Sequence, residues 1–510
     1  MTWGAIKQVV FSGKPQALPA RGSAAVGICT SVRSKASANV EGSVLIIVLW
    51  VALGLVSITL YFANSMTFEL RAADNSVSGF AADQAIEGGA RYVQSVLSTL
   101  ATNGTVPDLT SYESEAVPVG ESHFWLIGRA GDLQSQVQPN QVFFGLVDEG
   151  SKLNLNTVTA DMLNLLTNMT PELAANIVDW RNTNGTTSAN GDGPTVYSQF
   201  QPAYLCKNAP FETVDELRLV YPMDMGTLLG EDYNRNGTLD PGETDTNMNN
   251  VADPGILEYA TVYSREPNSG GGAARVNVSV LTPPAAQLRA LLQTNLSAGR
   301  LTQVMTRLGL VTTGPAGGGP GRGNTGPGAT PGGGGPGQVG GGAGMVTFAS
   351  PLAFYVRSGM TADEFAPIAN SITVSSGSFT EGRINVNTAP AAVLSCLPGI
   401  SSDTVQQLLA YRQANSDKLT SIAWVVDALG SSGSALTRLG AGDYITTKSY
   451  QFSADIAALG PYGRGYRRVK YVFDTSSGTP QIVYRQDLSY LGWALGKNVR
   501  QAWLLAKDTR

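Results

Sequence analysis

Histidine is almost missing from this 510-residue chain, in which His123 stands alone. One imidazole makes no His-pair metal site, and a Ser-His-Asp triad would depend on that single residue, in a predicted strand beside Trp125. Cysteine is nearly as scarce, at positions 29, 206 and 396. That number makes no disulfide framework. Cys206 and Cys396 either pair in an oxidising compartment or stay as free buried thiols. Charged residues are only 14% of the chain and the net charge is −5, so no basic field advertises a nucleic-acid partner. Gly-x-Gly patterns fall in a Gly/Pro-rich stretch without strand–helix context, which removes a phosphate-binding loop. Enzymatic chemistry therefore has little to stand on. Apolar runs long enough to cross a bilayer are absent too, with one exception.

The exception is Val44 to Ala63, VLIIVLWVALGLVSITLYFA, which carries no charge. About 20 residues of helix cross a bilayer core. Before it come Lys7, Lys14, Arg21, Arg33 and Lys35, with no acid until Glu41. That asymmetry predicts a cytoplasmic N-terminus, one span, and an external remainder. Phe68, Leu70, Phe80, Ile86, Tyr92, Val93, Val96 and Leu97 continue at three- and four-residue spacings, which predicts one long helix over 43–100. Gly79, Gly88 and Gly89 weaken that helix. A secretory signal peptide would have a shorter core and a small-residue cleavage site beyond it. A pilin-like leader is instead cut before the apolar run, after a glycine. Gly42–Ser43 is then the scissile bond, with residues 1–42 as the leader. Counted from Ser43, the fifth mature position is Ile47, where pilin-like subunits usually carry glutamate. A plain signal anchor is the alternative.

A unit recurs downstream. KLNLNTVTADMLNLLTNMTPELAANIVDWR, from Lys152 to Arg181, aligns without a gap on RINVNTAPAAVLSCLPGISSDTVQQLLAYR, from Arg383 to Arg412, and an eroded copy opens at Arg275 with RVNVSVLTPPAAQLRALL. Each copy reads as a short strand ending in Asn-x-Asn or Asn-x-Ser, a capped helix with a leucine face, a tight turn and a second helix. Helical tails follow at 211–217, 348–355 and 419–429, giving repeats over 152–220, 275–355 and 383–430. The pattern resembles tandem helix-hairpin-helix units, which raises DNA-phosphate binding as a rival role. Against it, Ser401 stands where a second hairpin glycine would sit, and Thr167-Asn168-Met169-Thr170 has none.

Between the first two copies lies EDYNRNGTLDPGETDTNMNNVADPG. Asp232, Asn234, Asn236, the Thr238 carbonyl, Asp240 and Glu243, with Gly237 at the turn, fill a calcium-loop template. Alternate side chains of such a loop point at one centre. A second, partial set is Asp245, Asn247, Asn249 and Asp253, with Asn250 in the glycine position. A solvated turn without metal is the bland alternative. Residues 314–344 are nearly all Gly and Pro and predict a flexible insertion within a domain.

Alternating patterns at 123–129, 141–147, 444–456, 466–473 and 481–488 predict strands of one small antiparallel sheet drawn from both sides of the repeats. The expected fold is α+β. It has a long N-terminal helix over 43–100, a pilin-like sheet from 101–151 and 436–510, the latter ending in a C-terminal tail, and a large inserted domain of helix-hairpin-helix-like repeats over 152–435, with the calcium loop at 232–253.

Taken together, Ile47 in place of the glutamate, the Asn-x-Asn-Thr starts, Asp179-Trp180-Arg181, Tyr204-x-x-Lys207-Asn208 before Phe211, and Arg383-Ile384-Asn385-Val386-Asn387-Thr388 resemble the minor pseudopilin K family of type II secretion systems. The eroded extra copy and the Gly-rich insertion depart from that plan. The resemblance implies a non-enzymatic inner-membrane protein with its bulk in the periplasm, binding calcium and seated at the pseudopilus tip. It implies cleavage and methylation by a prepilin peptidase. It also implies the I- and J-type minor pseudopilins, the major pseudopilin, the inner-membrane assembly platform and membrane lipid as partners, and no nucleic acid. The hairpins suggest the alternative, a membrane-anchored DNA-binding protein of an uptake apparatus.

Overall fold

The computed structural model describes residues 41–130, 141–270, 273–311, 345–431 and 433–508. The basic stretch before Glu41, Cys29 and the Gly/Pro-rich stretch lie outside the described residues, as do the side chains of Gly42 and Ser43. The chain divides into two units, residues 1–70 and 71–510.

Helix α1 runs unbroken from Glu41 to Leu100. In the first unit its apolar side chains are exposed; Trp50 is 71% and Ile47 59% exposed. This stretch is long and apolar enough to cross a membrane. In the second unit α1 changes character. Ala82, Ala85, Ile86, Ala90, Val93 and Leu97, at three- and four-residue spacings, are buried against a sheet. The glycines that weaken the helix on propensity are explained by this packing. A Cβ on Gly89 would lie 3.0 Å from Ile456 and 3.2 Å from Phe124, and one on Gly88 would lie 3.1 Å from Val119. Close approach of helix to sheet outweighs about 1 kcal/mol of helix propensity per glycine.

The sheet is antiparallel and six-stranded. It comprises β1 Val117–Val119, β2 Ser122–Ile127, β3 Val147–Asp148, β4 Gln451–Leu459, β5 Arg467–Asp474 and β6 Gln481–Asp487. Its order is β1-β2-β4-β5-β6, with β3 paired to β4 beside β2. The strand expected over 444–456 is broken. Ile445–Thr446 pairs elsewhere, and the sheet strand begins only at Gln451. Ser449 makes the break, its N–H bonded to the Gly104 carbonyl at 3.0 Å and its hydroxyl to Asp148.

Between β3 and β4 three units share one hydrogen-bond scheme. Their opening strands are Leu153–Asn154, Val276–Asn277 and Ile384–Asn385. Each pairs in parallel with a closing strand, respectively Ala260–Thr261, Ile372–Thr373 and Ile445–Thr446. The opening asparagine accepts the N–H two residues on, from Asn156, Ser279 and Asn387 at 2.9, 2.8 and 3.0 Å. The closing threonine hydroxyl does likewise, from Tyr263, Ser375 and Lys448. Two-residue strands are too short to hold themselves, so side chains supply the turns that a ladder would otherwise enforce. In the outer units the second asparagine grips the tail. Asn156 donates to the Phe211 carbonyl and Asn387 to that of Leu419, and Trp424 donates back to Asn387. Arg181 and Arg412, ending the second helices, each seal two carbonyls of the opening turn.

Units and sheet meet at Asp148 and Glu149. Asp148 accepts from Asn385, Thr388, Ser449 and the Gly150 N–H. Burial pushes its carboxyl up even so. Glu149 is 1% exposed. It accepts from Thr261 and faces the ammonium groups of Lys152 at 3.4 Å and Lys470 at 3.9 Å. Burial would raise its pKa, but the two lysines and the Thr261 hydroxyl prevail and hold it at about 2, below the ordinary 4.5. A depressed carboxylate lends stability that is present above its unfolded pKa and lost as pH falls through the folded one. Denaturant titrations of wild type and Glu149→Gln should therefore show a stability difference on the order of 3 kcal/mol at neutral pH that shrinks between about pH 4.5 and 2. A difference independent of pH would contradict this electrostatic account.

Candidate metal centre

The segment 231–253 closes on itself. Gly230, at φ +70°, pairs with Pro254, the Glu231 N–H donates to the Asp253 carbonyl at 2.8 Å, and the Gly255 N–H donates to that of Leu229 at 2.9 Å. The helix Met225–Leu229, capped by Asp224, delivers the chain to this neck. Two successive loops of the same design hang from it.

In the first loop the Asp232 carboxylate accepts the N–H groups of Asn236 and Gly237 at 2.9 and 2.8 Å. Asn236 accepts both the N–H and the hydroxyl of Thr238. Glu243 reaches back to the N–H groups of Asn234 at 3.1 Å and Asp240 at 2.9 Å. Asp240 accepts from the amides of Asn234 and Asn236. Gly237 has φ +77°, a turn for which a side chain is poorly suited. All six predicted positions thus lie in one curled loop.

The second loop repeats the scheme. Asp245 accepts from Asn249 and Asn250 at 3.2 and 2.9 Å, Asn249 from Val251, and Asp253 from the amides of Asn247 and Asn249. Asn250 takes the glycine's left-handed conformation at φ +60°. The twelfth position downstream is Ile256, which has no oxygen to offer. Glu231 takes that role from the other side of the neck, accepting the N–H groups of Thr246 at 2.6 Å and Asp253 at 3.2 Å. Reading the template forward from Asp245 could not find it. The available signal was an unassigned acid immediately before Asp232.

Among the described residues no three His, Cys, Asp or Glu side chains converge closely enough to hold an ion by themselves. The donor set is mixed: three carboxylates per loop, with amide and carbonyl oxygens between them. That is the chemistry of a hard cation taking many oxygens. The Asn234 side-chain oxygen is buried and has no hydrogen-bond partner. Asp232 is 3% exposed. Burial pushes its carboxyl up, against the pull of Arg129. Burial raises Glu243 as well, helped by Asp232 and Asp240. An orphaned amide oxygen beside carboxylates that resist ionisation is a site short of positive charge.

The other predicted positions lie elsewhere. Ile47 belongs to the first unit, exposed on α1, and Gly42 and Ser43 fall in the first turn of that helix. Cys206 and Cys396 are both free and buried, so the suggested pair is not formed. The Cys206 thiol points at the Asp179 and Trp180 carbonyls, the Cys396 thiol at that of Ala392. Burial raises both thiols, Cys396 to about 12, which keeps them protonated and inert. At the last hairpin, a Cβ on Gly399 would lie 2.7 Å from the side chain of Arg438, so that glycine accommodates the neighbouring helix Ser434–Gly440.

Residues 151–229 and 384–441 match two family models that share the description type II secretion system (T2SS), protein K. The first match covers the opening strand and tail of the first unit, the second the opening strand and tail of the last. No curated protein matches the chain. It is similar to a chain of the crystal structure described as the GspK-GspI-GspJ complex from the enterotoxigenic Escherichia coli Type 2 Secretion System. That similarity has a TM-score of 0.35 and 8% identity, over 79% of this chain and 96% of that one. Both family matches rest on its Asn-x-Asn units, and over those two stretches the chain is similar to type II secretion system protein K.

Proposed function

We propose that this chain, a minor pseudopilin of the type II secretion system, starts or caps the periplasmic pseudopilus and occupies its tip. The observation that carries the reading is the acid-free membrane stretch. Between Glu41 and Glu69 α1 has no carboxylate, and Ile47 is exposed where a pilin-like subunit would present one. Cleavage at Gly42–Ser43 by a prepilin peptidase leaves a methylated amine on Ser43 beside lipid. An unpaired charge there is costly. A carboxylate from the subunit added beneath neutralises it. Ile47 offers no such group to a subunit above, so none stacks there. The partners on this reading are the I- and J-type minor pseudopilins, the major pseudopilin below, the assembly platform and the inner-membrane lipid.

The two loops hold calcium in this proposal. Asp232, Asn234, Asn236, Thr238, Asp240 and Glu243 serve the first ion; Asp245, Asn247, Asn249, Asp253 and Glu231 serve the second. The first ion would supply the positive charge that Asp232 and Glu243 lack. The loops lie within the inserted region, where the ions cross-link a segment with little apolar content of its own. The rival reading as a DNA binder is disfavoured because the Arg438 side chain packs over Gly399, in the space a backbone–phosphate contact at that hairpin would need.

Two measurements test these assignments. Ile47→Glu should lower secretion severalfold and deplete this subunit from filament tips in cross-linking; normal tip assembly would mean that the bulk of the periplasmic part alone sets the position. Calcium titration of the full-length protein in detergent should find two ions. Asp232→Asn should weaken one and Glu231→Gln the other, each by about tenfold or more. Because burial raises Asp232 and Glu243, protons should compete with the first ion at a higher pH than for exposed carboxylates. Two unaltered sites in Glu231→Gln would remove that residue from the second.

A further inference from the structure

The two loops share a design but differ in what stands behind them. Asn247, Asn249 and Val251 of the second loop are exposed to solvent, whereas Asn236 of the first is fully buried. The first loop rests on the sheet through Arg468 of β5, a guanidinium that is 0% exposed. One side of its fork takes the Asp455 carboxylate of β4, at 2.9 and 2.6 Å. The other side takes two successive backbone carbonyls of the loop, Asn234 at 2.5 Å and Arg235 at 2.6 Å.

The second of these contacts leads straight to a metal-site carboxylate. The Arg235 carbonyl also accepts from Arg129, next to β2, at 3.0 Å. The N–H of the same peptide group, that of Asn236, donates to Asp232 at 2.9 Å. Peptide groups are rigid planes. Two arginines of the sheet region therefore fix one end of a plane whose other end orients Asp232. Arg235 itself has φ +56°, a conformation a non-glycine residue holds only where its surroundings impose it. A further tie comes from Asn236, whose amide donates to the Ala494 carbonyl at 3.3 Å.

We infer that Arg468 is a positioning residue for the first calcium loop, so that filling of that loop and its seating on β4 and β5 strengthen each other. The inference rests on the calcium reading above and adds the coupling. Linkage makes such coupling reciprocal. Only a planar fork can bind a carboxylate on one edge and two carbonyls on the other; an ammonium keeps the charge but cannot span them. Because Arg468→Lys keeps the positive charge, electrostatics alone predicts no change in affinity, so a loss separates positioning from simple charge.

The test is calcium titration of full-length wild type and Arg468→Lys in detergent, with the second loop as internal control. Arg468→Lys should weaken the first ion by about tenfold or more and leave the second unchanged. Hydrogen exchange of wild type with and without calcium is the companion measurement and carries the test if the variant does not fold. Calcium should slow exchange in 451–459 and 467–474 as well as in 231–243. Unchanged affinity for the first ion in Arg468→Lys, or calcium protection confined to the loops, would overturn the coupling. A wild type that takes up no calcium would overturn the calcium reading, and the coupling with it.

Discussion

The second unit depends on two adjacent buried carboxylates at the end of β3. A chain that leaves a sheet after Asp148 and returns at Gln451 must begin and end its excursion at one place. Asp148 and Glu149 mark that place. Asp148 takes donors from the last unit and from the turn before β4; Glu149 takes a hydroxyl from the first unit and ammonium groups from the first unit and β5. Neither carboxylate could be buried without these partners, since an unpaired interior charge is destabilising by several kcal/mol. The junction thus closes only when sheet, first unit and last unit are all present.

From that junction the same logic extends outward. Each unit is a stretch of chain closed by two-residue parallel strands, too short to fix the turns at its two ends. Asparagine and threonine side chains take over, and Arg181 and Arg412 seal the remaining carbonyls. The middle unit keeps the opening asparagine and closing threonine but has Ser279 where its neighbours have the second asparagine, so its tail is not gripped in that way. The two acidic loops continue the scheme: polar side chains shape the backbone, and three carboxylates gather in each.

Periodicity made much of this legible. The apolar run of α1, its continuation to Leu97, and the strands near 122–127, 467–474 and 481–487 all carry strong spacing signals. What escaped was short or non-local. β1 is three residues with Pro118 at its centre. The closing strands are Ala-Thr and Ile-Thr pairs, visible only as a dipeptide recurring after each tail. The break at Ser449 answers to Asp148, 301 residues away. The C-terminal helix Gly496–Asp508 stood where only a tail was expected. The role of Glu231 follows from the neck at Gly230 and Pro254, which no forward template contains.

Everything proposed for this chain in its membrane requires α1 to remain on the mature protein. Mass spectrometry of the N-terminus of the protein recovered from cells tests that most directly. A chain beginning at N-methylated Ser43 is the predicted result. A chain beginning beyond Ala63, or one still carrying residues 1–42 in cells with an active prepilin peptidase, would contradict the account.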